Sequence, residues 1–309
     1  MSSAPRPDIT LFLQALSLWP THSDATIISV EVPWDSLLNG ENPVIYVVDN
    51  YVQLVNYCRS KNLKLWVYID PENGLNRASD SDPLVARGKS IAQADVQLVY
   101  RRFAFVMDSI LRPDHLGLAL ETNLIRIAAP APIYQGVKQA VNAAAADIRA
   151  FDPHVPLSVS VQAEVAWGKL GGSGGYVGVA QDFTDFPFLQ ELGISSYPYF
   201  SFAHPADIPL NYYSQLLAGH SLPVFVSEGG WTSVGGQQPA YIARQGQLLA
   251  QAHGIGLFQL TFTDLSIGGW PAVDTAGLAP FAFLGVVDSN FVAKPALAVW
   301  DSLLRLPYL

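Results

Sequence analysis

Short apolar runs alternate along the chain with longer stretches in which apolar residues recur at helical spacing. Seven runs rich in Val, Ile, Leu and aromatic residues stand out, each flanked by Gly, Pro, Asn or Asp. They cover residues 26–34, 63–71, 116–123, 157–164, 192–200, 223–231 and 255–264. The runs are apolar almost throughout, which is typical of parallel strands covered on both faces.

Segments with helical periodicity separate these runs and are long enough for right-handed crossovers between parallel neighbours. The clearest are residues 49–62, 95–111, 133–151 and 238–253. Neither a linker nor a short-period repeat divides the chain. We therefore predict that residues 1–309 form a single domain, an α/β protein with the (β/α)8 TIM-barrel fold.

The predicted barrel is one strand short. The residues before the first run read as a helix, with Ile9, Leu13 and Leu16 at helical spacing. The first strand is thus missing or not recognisable, and we number the run 26–34 as strand two. This numbering depends on the residues that the later strands carry.

Composition predicts a globular protein with a large core, because 50% of residues are hydrophobic and 14% are charged. Twenty-six acidic residues against 17 basic ones give a net charge of −9 without any Lys/Arg run, so nucleic acid is not an expected partner. Cys58 lies in a helical pattern and is predicted to be a buried small hydrophobe.

Location and assembly stay open at this level. The chain contains no run of roughly 20 apolar residues, so we expect no membrane partner. The N-terminus lacks the basic start and apolar run of a secretory signal. This indicates the cytoplasm if residue 1 is the natural start, whereas a trimmed secreted protein would have the same sequence. The oligomeric state is unknown, and a monomer is compatible with the sequence.

Polar residues at the C-terminal ends of the strands are the candidate site, because the loops there build the active sites of such barrels. In strand order they are Asp70, Glu72, Glu121, Asn123, Gln162, Glu164, Tyr197, Tyr199, Glu228, Trp231, Thr263 and Asp264. Further tryptophans near strand ends could stack on sugar rings or simply pack, namely Trp34, Trp66, Trp167 and Trp270.

Two glutamates carry the chemical hypothesis. Glu121 and Glu228 each follow an unbroken hydrophobic run and lie about three β/α units apart, so both carboxylates are expected at one barrel mouth. Two facing carboxyl groups are what glycosidic bond cleavage requires. Either glutamate could instead cap the following helix or pair with an arginine such as Arg126.

Four segments resemble the clan of retaining glycoside hydrolases that has its acid/base on strand four and its nucleophile on strand seven. LGLALETN (116–123) resembles the acid segment, and SSYPYF (195–200) resembles the strand-six segment whose tyrosine hydrogen-bonds the nucleophile. SEGGWTS (227–233) resembles the nucleophile segment of endo-1,4-galactanases and related β-glucanases. GVVDSNFVAKPALAVWDSLL (285–304) resembles the end of the barrel in this clan.

The resemblance implies a glycoside hydrolase that cleaves a β-linked oligo- or polysaccharide by double displacement. Glu228 would be the ionised nucleophile, Glu121 the protonated acid/base, and Tyr197 the residue that orients Glu228. The other candidates are predicted to bind substrate: Trp34, Asp70, Glu72, Asn123, Gln162, Glu164, Trp167, Tyr197, Tyr199, Trp231, Asp264 and Trp270. Neither a metal nor a cofactor is predicted, since the histidines lack metal-ligand spacing.

One departure from the clan keeps other functions open. Leu120 stands where the clan usually has an Asn that contacts the sugar 2-hydroxyl, and Asn123 is a candidate substitute. A carbohydrate-binding barrel with little hydrolytic activity is therefore an alternative, as is an unrelated lyase or isomerase. The Gly-rich segment 171–178 lacks the end of a phosphate loop and is predicted to be a flexible loop over the cleft.

Overall fold

A seven-stranded parallel sheet forms the centre of the computed structural model, which describes residues 4–171 and 174–306. Each strand pairs with the next one along the chain, as in a barrel wall. The strands are β1 Ala25–Glu31, β2 Lys64–Asp70, β3 His115–Gly117, β4 Leu157–Gln162, β5 Glu191–Ser196, β6 Val224–Gly229 and β7 Gly254–Leu257. The predicted β/α architecture is confirmed. Predicted strands four and seven correspond to β3 and β6.

Helices connect the strands and cover the outer face of the sheet. Their bounds are α1 Ile9–Leu18, α2 Trp34–Leu38, α3 Pro43–Val47, α4 Gln53–Ser60, α5 Asp82–Ala86, α6 Ala94–Leu111, α7 Thr122–Ala128, α8 Ala131–Phe151, α9 Ala163–Ala166, α10 Ala180–Asp185, α11 Gln238–Gln251, α12 Ala272–Leu278 and α13 Pro295–Leu304. A π-helical turn, Val48–Val52, joins α3 to α4. Short 3-10 turns occupy Trp19–His22, Pro198–Phe200, Pro205–Asp207, Ser214–Leu217, Ile267–Gly269 and Ala279–Phe281.

The inside of the curled sheet is filled by side chains. Trp66, Tyr68, Leu120, Phe225 and Phe258 form one buried cluster there. Glycine is required opposite Tyr68, because a Cβ atom on Gly117 would lie 2.2 Å from the tyrosine Cζ. The interior is therefore a packed core, as in other barrels of this type, and the open space lies above it at the strand ends.

Two larger apolar clusters lie between the sheet and its helices. One joins β1 to β4 with α6 and α8, and the other joins β5 and β6 with α11 and α13. Cys58 is fully buried in α4, as predicted. Among the helices of the described part of the chain, none combines the length and the apolar character that crossing a bilayer would need.

The wall of the sheet is open on one side. Strands β1 and β7 are its two edges, and no strand among the described residues joins them. A cavity of about 630 Å³ lies there and is lined by residues of both edge strands, of α1 and α13, and by Glu228. We call this cavity the edge fissure. It lies where the missing first strand would stand, and α1 confirms the helix predicted before the first run.

All seven strands end before their apolar runs do, and the ends of three of them illustrate this. Strand β3 stops at Gly117, since Glu121 adopts a left-handed backbone conformation and starts α7. The run 157–164 ends in α9, whose first turn is capped by the side chain of Gln162. Strand β7 ends at Leu257, beyond which the chain continues without regular structure. At the end of β4, polar capping thus overrides the apolar pattern.

Candidate active site

Glu121 and Glu228 come together at the C-terminal ends of β3 and β6. The hydroxyl oxygen of Ser195, on β5, lies 2.7 Å from Oε1 of Glu121 and 2.9 Å from Oε1 of Glu228. The two carboxylate oxygens are therefore no farther apart than the sum of these lengths. Glu121 is 7% exposed and Glu228 is partly exposed, so the pair lies in a recess of the barrel mouth.

The backbone of Glu121 explains how its side chain reaches this recess. The residue has φ 50° and ψ 45°, a conformation that costs non-glycine residues about 1 kcal/mol or more. Its N–H donates to Oγ of Ser160 at 2.9 Å, and its carbonyl begins the hydrogen bonding of α7. The carboxylate makes no capping bond to that helix, so the alternative of a helix cap is not realised.

Glu121 does have an arginine partner, but the partner is Arg77 and not Arg126. Nε of Arg77 lies 3.0 Å from Oε2 of Glu121, and its Nη1 lies 2.6 Å from Oδ2 of Asp70. All three groups are buried. Arg126 instead pairs with Asp182 at 2.8 Å. One guanidinium therefore bridges two carboxylates at the ends of β2 and β3.

Glu228 has a different electrostatic environment. Burial and the negative charge of Glu121 raise the pKa of Glu228 to about 7, although Arg77 and Ser195 act in the opposite direction. Burial raises the pKa of the phenol of Tyr197, the predicted orienting residue, well above the usual range, and the charges of Glu228 and Glu121 act in the same direction. The unliganded protein therefore holds a proton on Glu228 up to about neutral pH. The sequence prediction had Glu228 ionised. Of these two glutamates, Arg77 forms an ion pair with Glu121 among the described contacts, which favours the opposite arrangement.

Further acids lie on the β1–β2 side of the pair. Burial and the charge of Asp70 raise the pKa of Glu31, which ends β1 and lines the same region. Glu72 is 1% exposed, and neither of its oxygens has a partner with hydrogen-bond geometry. Burial, Asp80 and Asp70 raise its pKa well above the usual value. Asp70 and Glu72 thus lie beneath the surface of the mouth and do not form its lining.

Glu164, predicted to bind substrate, lies in a buried hydrogen-bond network. It is fully buried, and Oε1 accepts hydrogen bonds from Oγ of Ser196 at 3.1 Å and the hydroxyl of Tyr212 at 3.0 Å. Oε2 accepts from Nε2 of Gln162 at 2.6 Å and from the backbone N–H of Tyr197 at 2.9 Å. Four donors therefore saturate this carboxylate, which fixes the loop after β5.

Asn123 and Gln162, two further predicted substrate-binding residues, bond to each other and to neighbouring strand ends. The Asn123 amide donates to the backbone carbonyl of Gln162 at 2.9 Å and accepts from its N–H at 2.7 Å. The Gln162 side chain in turn caps α9 and donates to Glu164. Both residues are buried. Asn123 is therefore committed to joining the ends of β3 and β4, and it does not replace the asparagine absent at Leu120.

Three predicted aromatic residues gather beside the pair. The ring of Tyr199 lies 6.4 Å from that of Tyr197 and 6.2 Å from that of Trp231. Phe281 adds a ring 5.0 Å from Tyr197. Tyr199 is the more accessible member, since Tyr197 and Trp231 are buried. This aromatic wall stands at the ends of β5 and β6, where Glu228 emerges.

The other predicted aromatic and acidic residues lie elsewhere and pack in ordinary ways. Trp34 is buried in the core and donates to the carbonyl of Pro71. Trp167 stacks on Tyr212 at 5.0 Å, and Trp270 donates to the carbonyl of Pro5. Asp264 is buried and pairs with Lys294. These four residues were predicted to bind substrate, and the structure gives each a packing partner instead.

Sequence reasoning missed three residues of this site. Glu31 ends a strand and could have been found by the same rule that selected Glu121. Ser195 is a small polar residue inside an apolar run, and Arg77 lies in a loop seven positions after β2 ends. Neither of these two carries a sequence signal that would single it out.

Two further predictions concern loops and metals. Residues 172 and 173 of the predicted glycine-rich loop lie outside the described residues. Nearby, Tyr176 donates to the carbonyl of Gln215 at 2.8 Å, which ties this segment to the 3-10 turn Ser214–Leu217. Within residues 4–171 and 174–306, no group of three or more His, Cys, Asp or Glu side chains could hold a metal ion.

Comparison with known proteins gives matches of structure alone. No family model and no curated protein sequence matches the chain. An exo-β-1,4-mannosidase from Opitutaceae bacterium strain TAV5 is 15% identical with a TM-score of 0.68, over 97% of this chain and 56% of that one. The chain thus spans little more than half of that relative.

Two further solved structures have the same fold over most of their length. A GH5_18 protein from Bifidobacterium longum subsp. infantis is 15% identical with a TM-score of 0.63, over 96% of this chain and 73% of the other. A β-glucosidase from Thermotoga maritima is 11% identical with a TM-score of 0.62, over 95% and 86%. The chain therefore has the TIM-barrel fold of these glycoside hydrolases, as the sequence resemblance implied.

Proposed function

We propose that this protein is a glycoside hydrolase that cleaves a β-linked oligo- or polysaccharide with retention of anomeric configuration. In this proposal Glu228 attacks the anomeric carbon, Glu121 is the acid/base, and the chain acts as a single catalytic domain. The observation that carries it is the joint contact of both carboxylates with Ser195 at 2.7 and 2.9 Å. Carboxyl groups about 5–5.5 Å apart are typical of retaining enzymes, whereas inverting enzymes separate theirs by about 6.5–9.5 Å.

The surroundings of the pair support a sugar substrate. The aromatic wall of Tyr197, Tyr199 and Trp231 stands at the ends of β5 and of β6, the strand that carries Glu228, and such rings offer apolar faces with polar tips. The structural relatives include an exo-β-1,4-mannosidase and a β-glucosidase, which supports a β-linked glycoside as the substrate class.

Double displacement requires the proton on Glu121 and the charge on Glu228 when the sugar is attacked. The resting protein favours the reverse, because Arg77 stabilises the Glu121 carboxylate and burial favours protonated Glu228. The proposed function therefore includes a proton shift within the pair as the first chemical step begins. Positive charge developing at the anomeric carbon would favour that shift, since it stabilises ionised Glu228.

Leu120 favours a second candidate function, a carbohydrate-binding barrel with little hydrolytic activity. Its side chain is 5% exposed and packs inside the barrel with Trp66 and Phe225. The position thus offers no hydrogen bond to a sugar 2-hydroxyl, and such bonds contribute several kcal/mol in the transition state. This candidate predicts sugar binding without release of reducing ends.

A panel of aryl β-glycosides and β-linked polysaccharides tests the proposal. We expect release of the aglycone or of reducing ends with retained configuration, measured by NMR of the first-formed anomer. Glu228→Gln and Glu121→Gln should each lower kcat/KM by at least about 10³-fold, as loss of a nucleophile or proton donor does. Asp35→Asn, which removes an exposed carboxylate paired with Arg87, is the matched control and should leave activity unchanged.

The division of roles has a test of its own. A 2-deoxy-2-fluoro-glycoside with a good leaving group accumulates the glycosyl-enzyme, and peptide mapping then identifies the labelled residue. We expect the label on Glu228. A label on Glu121 would reverse the two roles, an inverted product would exclude double displacement, and binding without turnover would establish the second candidate.

A further inference from the structure

Ser195 makes two contacts that a pair of ionised carboxylates cannot both satisfy as hydrogen bonds. Its side chain is fully buried on β5, between Oε1 of Glu121 at 2.7 Å and Oε1 of Glu228 at 2.9 Å. A serine hydroxyl has one hydrogen to donate, and an ionised carboxylate can only accept. Both contacts are hydrogen bonds only if one of the carboxyl groups carries a proton and donates it to Ser195.

Arg77 indicates where that proton rests. Its guanidinium lies 3.0 Å from Glu121 and makes no hydrogen bond to Glu228 among the contacts of the described residues. Glu121 is thus the carboxylate and Glu228 the acid in the resting protein. The chain of donors then runs from Glu228 to the Ser195 oxygen and from the Ser195 hydrogen to Glu121.

We propose that Ser195 is a positioning residue that relays the shared proton from Glu228 to Glu121, which prepares both groups for their roles in the proposed reaction. The hydroxyl passes its hydrogen to Glu121 while it accepts the hydrogen of Glu228. One O–H bond forms and one breaks at Ser195, so the serine is unchanged afterwards. The negative charge moves from Glu121 to Glu228 without any external acid or base. This inference rests on the proposed function.

The packing around the pair favours an internal route for the proton. Ser195 is fully buried and Glu121 is 7% exposed, so exchange of the Glu121 proton with bulk water is restricted. Several other titratable groups face the pair from neighbouring elements. They are Arg77 and Asp70 at the end of β2, Tyr68 within β2, Glu31 at the end of β1 and Tyr197 after β5. The hydroxyl of Ser195, by contrast, contacts both Glu121 and Glu228.

Ser195→Ala is the direct test on the enzyme. We expect kcat to fall about tenfold or more with KM changed less than about twofold, because the relay acts on the chemical step. The bell-shaped profile of kcat against pH should also narrow by about one pKa unit. The reason is that the serine stabilises the singly protonated pair relative to both the fully ionised and the doubly protonated pair. Ser195→Thr restores a hydroxyl and should recover kcat and the profile width.

A matched control removes another buried hydroxyl from the barrel. Ser158→Ala, on β4, deletes a hydroxyl that contacts Tyr68 at 3.0 Å and neither glutamate. It should leave the width of the pH profile unchanged. An equal narrowing in Ser158→Ala, or an unchanged kcat and profile in Ser195→Ala, would overturn the relay.

An activity-independent readout separates this inference from the proposed function. In protein labelled with 13C at the glutamate carboxyls, the two titration steps of the pair should lie closer to each other by about one pH unit in Ser195→Ala. Unmoved steps refute the role of Ser195 even if the wild type is active. If the wild type cleaves no glycoside, the proposed function fails while the titration still decides the inference. Should Ser195→Ala fail to fold, the same comparison uses Ser195→Cys, which keeps the shape but donates weakly.

Discussion

Two neighbouring carboxylate clusters in this barrel, that of Glu164 and that of Glu121 and Glu228, differ in the number of hydrogen-bond donors that contact them. Ser195 and Ser196, adjacent on β5, point to opposite faces of the sheet, as successive strand residues do. Ser196 donates to Glu164, whose two oxygens accept four hydrogen bonds in all. Ser195 instead divides one hydroxyl between Glu121 and Glu228.

The difference separates a structural acid from reactive ones. Burial raises the pKa of Glu164, but the bonds from Tyr197, Tyr212 and Gln162 oppose this and favour the charged form. Glu228 has fewer donors and faces the charge of Glu121, which leaves its pKa at about 7. Carboxylates that must exchange protons near neutral pH need such incomplete compensation. The comparison predicts opposite effects when the same substitution is made in the two clusters.

The largest effect on stability is expected for Glu164→Gln. An amide in this position turns its NH2 group toward two of the four donors, which leaves buried polar groups unsatisfied. We expect the free energy of unfolding to fall by about 2–4 kcal/mol, at about 1–3 kcal/mol for each unsatisfied group. Urea denaturation monitored by tryptophan fluorescence measures it. A loss below about 0.5 kcal/mol, the range of ordinary surface changes, would remove the structural role of Glu164.

A smaller effect of opposite sign is expected for Glu228→Gln. The pKa of Glu228 is raised from 4.5 to about 7 in the folded protein, so its contribution to stability falls as the pH rises through that interval and is constant above it. At pH 8 the variant should therefore be about 1–2 kcal/mol more stable than the wild type, a value reduced for the partial exposure of the group. At pH 4.5 the gain should vanish. Denaturation at both pH values tests this, and a destabilised variant at pH 8 would contradict it.

The smallest expected effects come from removing one phenol hydroxyl in each cluster. Tyr212→Phe deletes one donor to Glu164 and should cost about 1 kcal/mol of stability, the usual net value of a buried hydrogen bond. Tyr197→Phe deletes a phenol hydroxyl that interacts electrostatically with Glu228, and it should change stability by less than about 0.5 kcal/mol while lowering kcat about tenfold. Thermal melts and initial rates on both variants distinguish the clusters. Equal effects of the two substitutions on both readouts would abolish the distinction.

Much of the fold could be predicted because its signals are local. Apolar runs bounded by turn residues predicted β1 to β7, and helical periodicity predicted α6, α8 and α11. The strand-end rule selected Glu121 and Glu228, which the structure brings onto one serine. The sequence also predicted the missing first strand, because the segment before β1 has the periodicity of a helix.

The roles of the other polar residues could not be predicted, because they depend on the backbone conformation at each strand end, which decides where the side chain points. Glu164 follows β4 by two positions and points into a saturated buried cluster, whereas Glu121 reaches the mouth through a left-handed backbone conformation. Arg77 is brought to Glu121 by the fold of a loop, across 44 residues of sequence. Periodicity and composition contain no information on such distant pairings.

The edge fissure gives the sheet two ends, which a closed ring of strands would not have. The backbone groups along the outer edges of β1 and β7 lack the strand partner that their counterparts in β4 and β5 have on both sides. Local opening therefore costs less free energy at these two strands than at the centre of the sheet, and amide hydrogens there exchange with solvent through fraying instead of global unfolding. The side of the barrel that borders Glu228 is thus also the side at which cooperative protection of the fold is weakest.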